Sequence, residues 1–145
     1  MRVVLQRVLS ASVSVDGVIS GRIGPGYLLL VGISAGDDET TVRRLAAEVA
    51  KARLMPDEQG KMGTNLSDAG GEALAVSQFT LLADFSKGNR PSFNGAARPE
   101  VARPLFDLFV TGLSAHLGRP VPTGVFGADM RVELVNDGPV TVVLE

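Results

Sequence analysis

Cysteine and tryptophan are absent from the 145 residues, and histidine and tyrosine occur once each. Without cysteine there is no disulfide, no thiolate metal site and no cysteine nucleophile. The lone histidine, His116, lies near the C-terminus of a predicted helix, where a cation is mildly favoured. No nucleophilic or acidic motif surrounds it, so neither a Ser-His-Asp triad nor a metal centre is expected on it. Apolar runs long enough to span a membrane are missing. The start, Met1-Arg-Val-Val-Leu-Gln-Arg7, carries charges inside its apolar stretch, unlike a signal peptide. A protein of the reducing cytoplasm is the expectation. The net charge of −2 argues mildly against a protein that coats nucleic acid, whose affinity comes from neutralising phosphates. It leaves room for a local basic patch that grips one end of an RNA.

What is present fits one globular domain over residues 1–145, with 45% hydrophobic and 21% charged residues. Arg2 to Leu9 reads as a strand with Val3, Leu5 and Val8 inward. Ser10 to Val15 alternates as a half-buried strand. Asp16-Gly17 is a two-residue hairpin signal, and Val18 to Ile23 is the returning strand. After Gly24-Pro25-Gly26, Tyr27 to Ile33 is an almost unbroken apolar strand, covered on both faces. Val42, Leu45, Ala46 and Val49 mark a one-sided helix to about Arg53, ended by Pro56. A short strand over Met62 to Leu66 precedes a strand beginning at Glu72. A second helix spans Pro99 to Leu117, with its regular part starting as late as Pro104 and with Gly118 and Pro120 as its stop. Met130 to Val135 and Val140 to Leu144 are strands on either side of a tight turn, Asn136-Asp-Gly-Pro139. The sum is an α/β fold: mixed, mostly antiparallel sheets forming a barrel-like core with two covering helices.

Two stretches carry candidate chemistry. In Glu72-Ala-Leu-Ala-Val-Ser-Gln-Phe-Thr-Leu-Leu82 an apolar strand turns polar at Ser77, Gln78 and Thr80, around Phe79. Unpaired buried polar groups cost about 1–3 kcal/mol each, so this strand end either surfaces or offers hydroxyls, an amide and backbone N–H groups to a ligand. The long loop from Asp84 to Phe93 sets Lys87 and Arg90 beside Phe85 and Phe93, a mixture suited to an RNA end and equally to a solvated loop held by its aromatics. Gly138-Pro139, between two strands, is a place for a cis bond, whose carbonyls would form a rigid backbone probe; a trans turn is the alternative. Glycines match no phosphate-cradling loop.

Ser77-Gln78-Phe79-Thr80 together with Asn136-Asp137-Gly138-Pro139-Val140-Thr141 resembles the signature pair of the D-aminoacyl-tRNA deacylases. The likeness extends to Leu5-Gln6-Arg7-Val8 with Ala11-Ser12-Val13, to Gly60-Lys61-Met62, to Arg90-Pro91-Ser92-Phe93 and to Gly127-Ala128-Asp129-Met130, in family order over essentially the whole chain. The resemblance implies a homodimer that hydrolyses the ester between a D-amino acid, or glycine, and the 3′ end of tRNA. It implies catalysis at Phe79 and Thr80, substrate contacts from Ser77, Gln78, Phe93 and Met130, and a cis Gly138-Pro139 unit that enters the other subunit's site and excludes L side chains. Arg7 would fix that unit's orientation. Neither a metal nor an organic cofactor is implied, and the partners are aminoacyl-tRNA and a second copy, not DNA or a membrane. Two chemistries stay open: attack by Thr80, or by a water assisted by the tRNA's terminal 2′-hydroxyl. A non-catalytic RNA-end binder using Lys87 and Arg90, or a structural dimer, is the rival reading.

Overall fold

One long strand, β1 (Arg2–Val15), runs through the middle of the molecule. The computed structural model describes every residue from Met1 to Glu145. Along one edge β1 pairs antiparallel first with β3 (Gly26–Gly32) and then with β2 (Val18–Ile23); along the other it pairs with β7 (Arg131–Leu144). Strand β6 (Glu72–Ser77) adds in parallel to β3 and completes a five-stranded curled half-barrel. Two very short strands, β4 (Met55–Pro56) and β5 (Met62–Thr64), form a separate ribbon. The parallel step from β3 to β6 is where helix α1 (Glu39–Lys51) crosses, as a parallel connection requires.

Period-two alternation divides the core. Tyr27, Leu29 and Val31 of β3 and Ala73 and Ala75 of β6 face the helices, whereas Leu28, Leu74 and Val76 pack in a second cluster with Val8, Ala11 and Val13. The buried phase of β1 slips between Leu5 and Val8, where β1 passes from β3 towards β2. Helices α1 and α2 (Pro99–Leu117) pack through Val42, Leu45, Ala46 and Val49 against Phe106, Phe109 and Leu113. Burial of a side chain such as Phe109, which has no exposed surface, is worth about 1.5–3 kcal/mol.

Several sequence expectations are corrected. The two strands read over Arg2–Val15 are one, because the Ser-Val alternation simply continues the ladder. Pro56 does not end α1; the helix stops at Lys51, and Ala52 returns its N–H to Glu48 and Val49. Helix α2 begins at Pro99 and carries Pro104 inside it. Nor does Asn136–Pro139 form a tight turn between two separate strands. The strands on either side of it both pair with β1, Asn136 opposite Val8 and Thr141 opposite Gln6. Residues 137–140 therefore bulge from a single strand opposite Arg7.

Candidate active site

The end of β6 faces a mostly apolar cleft of about 580 Å³, within the range of small-molecule sites. Strand β6 keeps its ladder one residue past its end, since the Gln78 N–H donates to Val31 O at 2.8 Å. The chain then tightens into a 3-10 turn, Phe79–Leu82. Gly32 makes this possible: a Cβ there would sit 2.5 Å from Leu82 Cδ2 and 3.0 Å from Gln78 O. A helical turn leaves its first N–H groups without partners inside the turn, and here they belong to Phe79 and Thr80. The strand end read from Ser77 to Thr80 thus gives way to a turn that brings Ser77, Gln78 and Phe79 to one cleft.

Phe93 meets Phe79 edge-on, with ring centroids 5.0 Å apart at 71°. The base of the long loop is pinned by paired backbone bonds between Asp84 and Ser92, both 2.8 Å. Asp84 also accepts from Ser86 N and Oγ, bonds that hold its carboxyl below the usual carboxylate range. The opposite wall is Ala96–Ala97, docked on the end of β3 by Ala97 N to Ile33 O and Ala35 N to Gly95 O, each 2.9 Å. Met130, Val132 and Phe126 close the floor. Gln78 Nε2 donates to the Thr80 hydroxyl. No carboxylate, lysine or imidazole is hydrogen-bonded to Thr80, and His116 lies in the last turn of α2 outside the cleft. No group of three His, Asp or Glu side chains is placed to hold a metal.

Ser77, Gln78, Phe79, Phe93 and Met130 therefore line one cleft, with Thr80 next to Phe79 in sequence and outside the lining. Lys87, Arg90 and Phe85 do not join them and stay on the exposed loop. Gly138, Pro139 and Arg7 lie apart from this cleft. The Gly138–Pro139 bond is cis and both residues are exposed. Arg7 Nε donates to Asp137 O at 3.0 Å and lies 3.3 Å from the Asp137 carboxylate, while Nη1 donates to Leu54 O at 2.8 Å. The Asn136 side chain ties the bulge's base to Val140 N and the Thr141 hydroxyl. Phe126, Ala96, Ala97 and Arg98 are lining residues that sequence reasoning missed; they sit in irregular segments where no periodicity marks an inward face.

These elements define a mixed α/β half-barrel protein with a mostly apolar cleft at the end of a parallel strand. A family model described as D-Tyr-tRNA(Tyr) deacylase matches residues 4–145. The chain is 59% identical over its full length to the D-aminoacyl-tRNA deacylase of Dechloromonas aromatica, covering 97% of that protein, and 60% identical to that of Chromobacterium violaceum at the same coverage. It superposes on a solved c-Myc DNA Unwinding Element Binding Protein with a TM-score of 0.93 at 38% identity, covering 98% of that chain. A probable eukaryotic D-amino acid tRNA deacylase shares the fold, with a TM-score of 0.86 at 17% identity over 99% of this chain and 97% of that one. The chain belongs to the D-aminoacyl-tRNA deacylase family and is an enzyme of the hydrolase class.

Proposed function

We propose that the protein hydrolyses the ester joining a D-amino acid, or glycine, to the 3′-terminal ribose of tRNA, acting as a homodimer in the cytoplasm. The observation that carries this reading is the convergence of Ser77, Gln78, Phe79, Phe93 and Met130 on one mostly apolar cleft in a chain of this family. In the reaction a water oxygen bonds to the ester carbonyl carbon, the bond to the ribose 3′ oxygen breaks, and that oxygen leaves with a proton. The products are a free amino acid and a tRNA with an intact 3′-hydroxyl. The N–H groups of Phe79 and Thr80 are suited to the developing oxyanion, with Gln78 and Ser77 orienting the ester. Because no general base is bonded to Thr80, water assisted by the tRNA's terminal 2′-hydroxyl is the preferred nucleophile over Thr80 itself.

Selectivity is assigned to Gly138–Pro139 of the opposite protomer. The bulge cannot reach its own chain's cleft, because β7 is laddered to β1 on both sides of it. At about 3.3 Å per residue the strand keeps the bulge well away from Val132. Delivery across a two-fold axis resolves this, with two equivalent sites per dimer. A backbone wedge there would collide with an L side chain and leave room for a D side chain or glycine.

Deacylation of D-tyrosyl-, L-tyrosyl- and glycyl-tRNA is the direct test. Loss of the D and glycyl esters with the L ester spared is expected; faster cleavage of the L ester overturns the reading. For Thr80→Ala, a single-turnover rate within about tenfold of the wild type supports water as nucleophile. Abolished turnover with binding intact supports attack by Thr80.

A further inference from the structure

We infer that Arg98 is a positioning residue for the nucleotide end of the substrate, gripping the phosphodiester that links the terminal nucleotide to the rest of the tRNA. This rests on the cleft being the aminoacyl-tRNA site, and it goes beyond the residues that bind the aminoacyl ester. Among the side chains lining the cleft Arg98 alone is charged. None of the molecule's ion pairs includes it, and its exposed guanidinium has no hydrogen-bond partner within the chain. Arg44 and Arg2, by contrast, are occupied by carboxylates at 2.8 and 2.7 Å.

The main chain that carries Arg98 is held from both sides. Ala97 N is bonded to Ile33 O, and Arg98 O accepts from Val101 N at 2.9 Å and Ala102 N at 2.8 Å as the first turn of α2. Pro99 and Ala102 of that turn line the same cleft. The side chain therefore departs from a fixed point at the cleft wall, and only its own torsions remain to be ordered. A guanidinium is weakly hydrated and presents a planar fork that matches two phosphate oxygens. Another cation of the same helix, Arg103, lies 6.0 Å from the Phe126 ring centroid and is not a lining residue. Glu100 and Asp107 are the acidic groups on the same helix, and neither is paired with Arg98.

The ligand chemistry follows from the substrate. An ester seated by Ser77 and Gln78 is carried on the 3′ oxygen of a ribose whose 5′ oxygen bears the phosphodiester, one sugar away. A protein with a net charge of −2 needs a local cation to hold that group.

The test compares 3′-O-D-tyrosyl-adenosine with its 5′-phosphorylated form. In the wild type the 5′-phosphate should lower KM about tenfold, the value of one charge-assisted bond. In Arg98→Ala the two KM values should converge, with kcat for the phosphorylated ester changed by less than about twofold. Arg98→Lys should recover part of the difference. On D-tyrosyl-tRNA, the slope of log kcat/KM against log salt should shrink by about 0.7 in Arg98→Ala, the release from one single-strand phosphate. The Arg98 side chain caps nothing in α2, so the variant is expected to fold, and Arg98→Gln provides a second neutral form. A KM difference that persists in both neutral variants overturns the assignment while sparing the deacylase reading. Failure of the wild type to cleave either ester overturns both.

Discussion

Tyr27 and Arg7, side by side near the middle of the sheet, show how single residues set the stability of this molecule. The Tyr27 side chain is fully buried, donating to Ala52 O at 3.2 Å and accepting from Leu54 N at 3.3 Å. Burial pushes its phenol above the ordinary value near 10, against the Leu54 hydrogen bond and the Arg7 charge, which pull it down. A raised pKa in the folded state means that the unfolded chain loses its phenolic proton first. Stability is therefore whole below about pH 10 and declines as pH rises towards the folded value. Denaturant midpoints above and below pH 10 test this, and a midpoint rising with pH in that window contradicts it. Arg7→Ala should cost about 1–3 kcal/mol by urea unfolding, since the carbonyls of Asp137 and Leu54 lose their donor in a partly buried setting. Arg7→Lys should recover only part of that, because a single ammonium cannot reproduce the guanidinium fork.

At the level of elements, the sequence speaks clearly where periodicity is unbroken. The α1 stripe Val42, Leu45, Ala46 and Val49 is buried as the spacing requires, and so are Val3, Leu5 and Val8 of β1. It misleads where tertiary bonds override local signals. Asn136-Asp-Gly-Pro139 reads as a tight turn between two strands, yet β1 runs past it and claims both neighbouring segments. Ser77 to Thr80 keeps a strand-like composition, but Gly32 lets the next turn close tightly over β3, which no count along the Ser77–Thr80 segment reveals. Pro104 reads as a late helix start because a proline inside a helix forfeits one bond; the packing of Phe106 and Phe109 carries it. Pro104→Ala should accordingly stabilise the protein by about 1–2 kcal/mol, the regained helix bond outweighing the greater freedom of the unfolded chain. Thermal unfolding measures it, and a lowered midpoint would mean that the ring's own contacts matter more. Of the candidate cleft, the motif residues Ser77, Gln78 and Phe79 stood out in the sequence. Its walls at Ala96–Arg98 and Phe126 were not, because irregular chain leaves no pattern to read.

The whole molecule leaves one side of β7 unpaired along its length, with Val135 52% and Val143 56% exposed. Open apolar edges of this length invite another chain, and this supports the proposed dimer. Val135→Lys should yield monomers in sedimentation equilibrium and lose deacylation together with assembly; monomers of undiminished activity would remove the cross-protomer wedge from the account. No helix is long and apolar enough to cross a membrane. One further property follows from the absence of tryptophan from the chain. The protein is dark at the wavelengths where only indole absorbs. A D-tryptophanyl ester of adenosine entering the cleft beside Phe79 and Phe93 would then be the sole emitter in the tube, and its arrival and departure could be timed without any label on the protein.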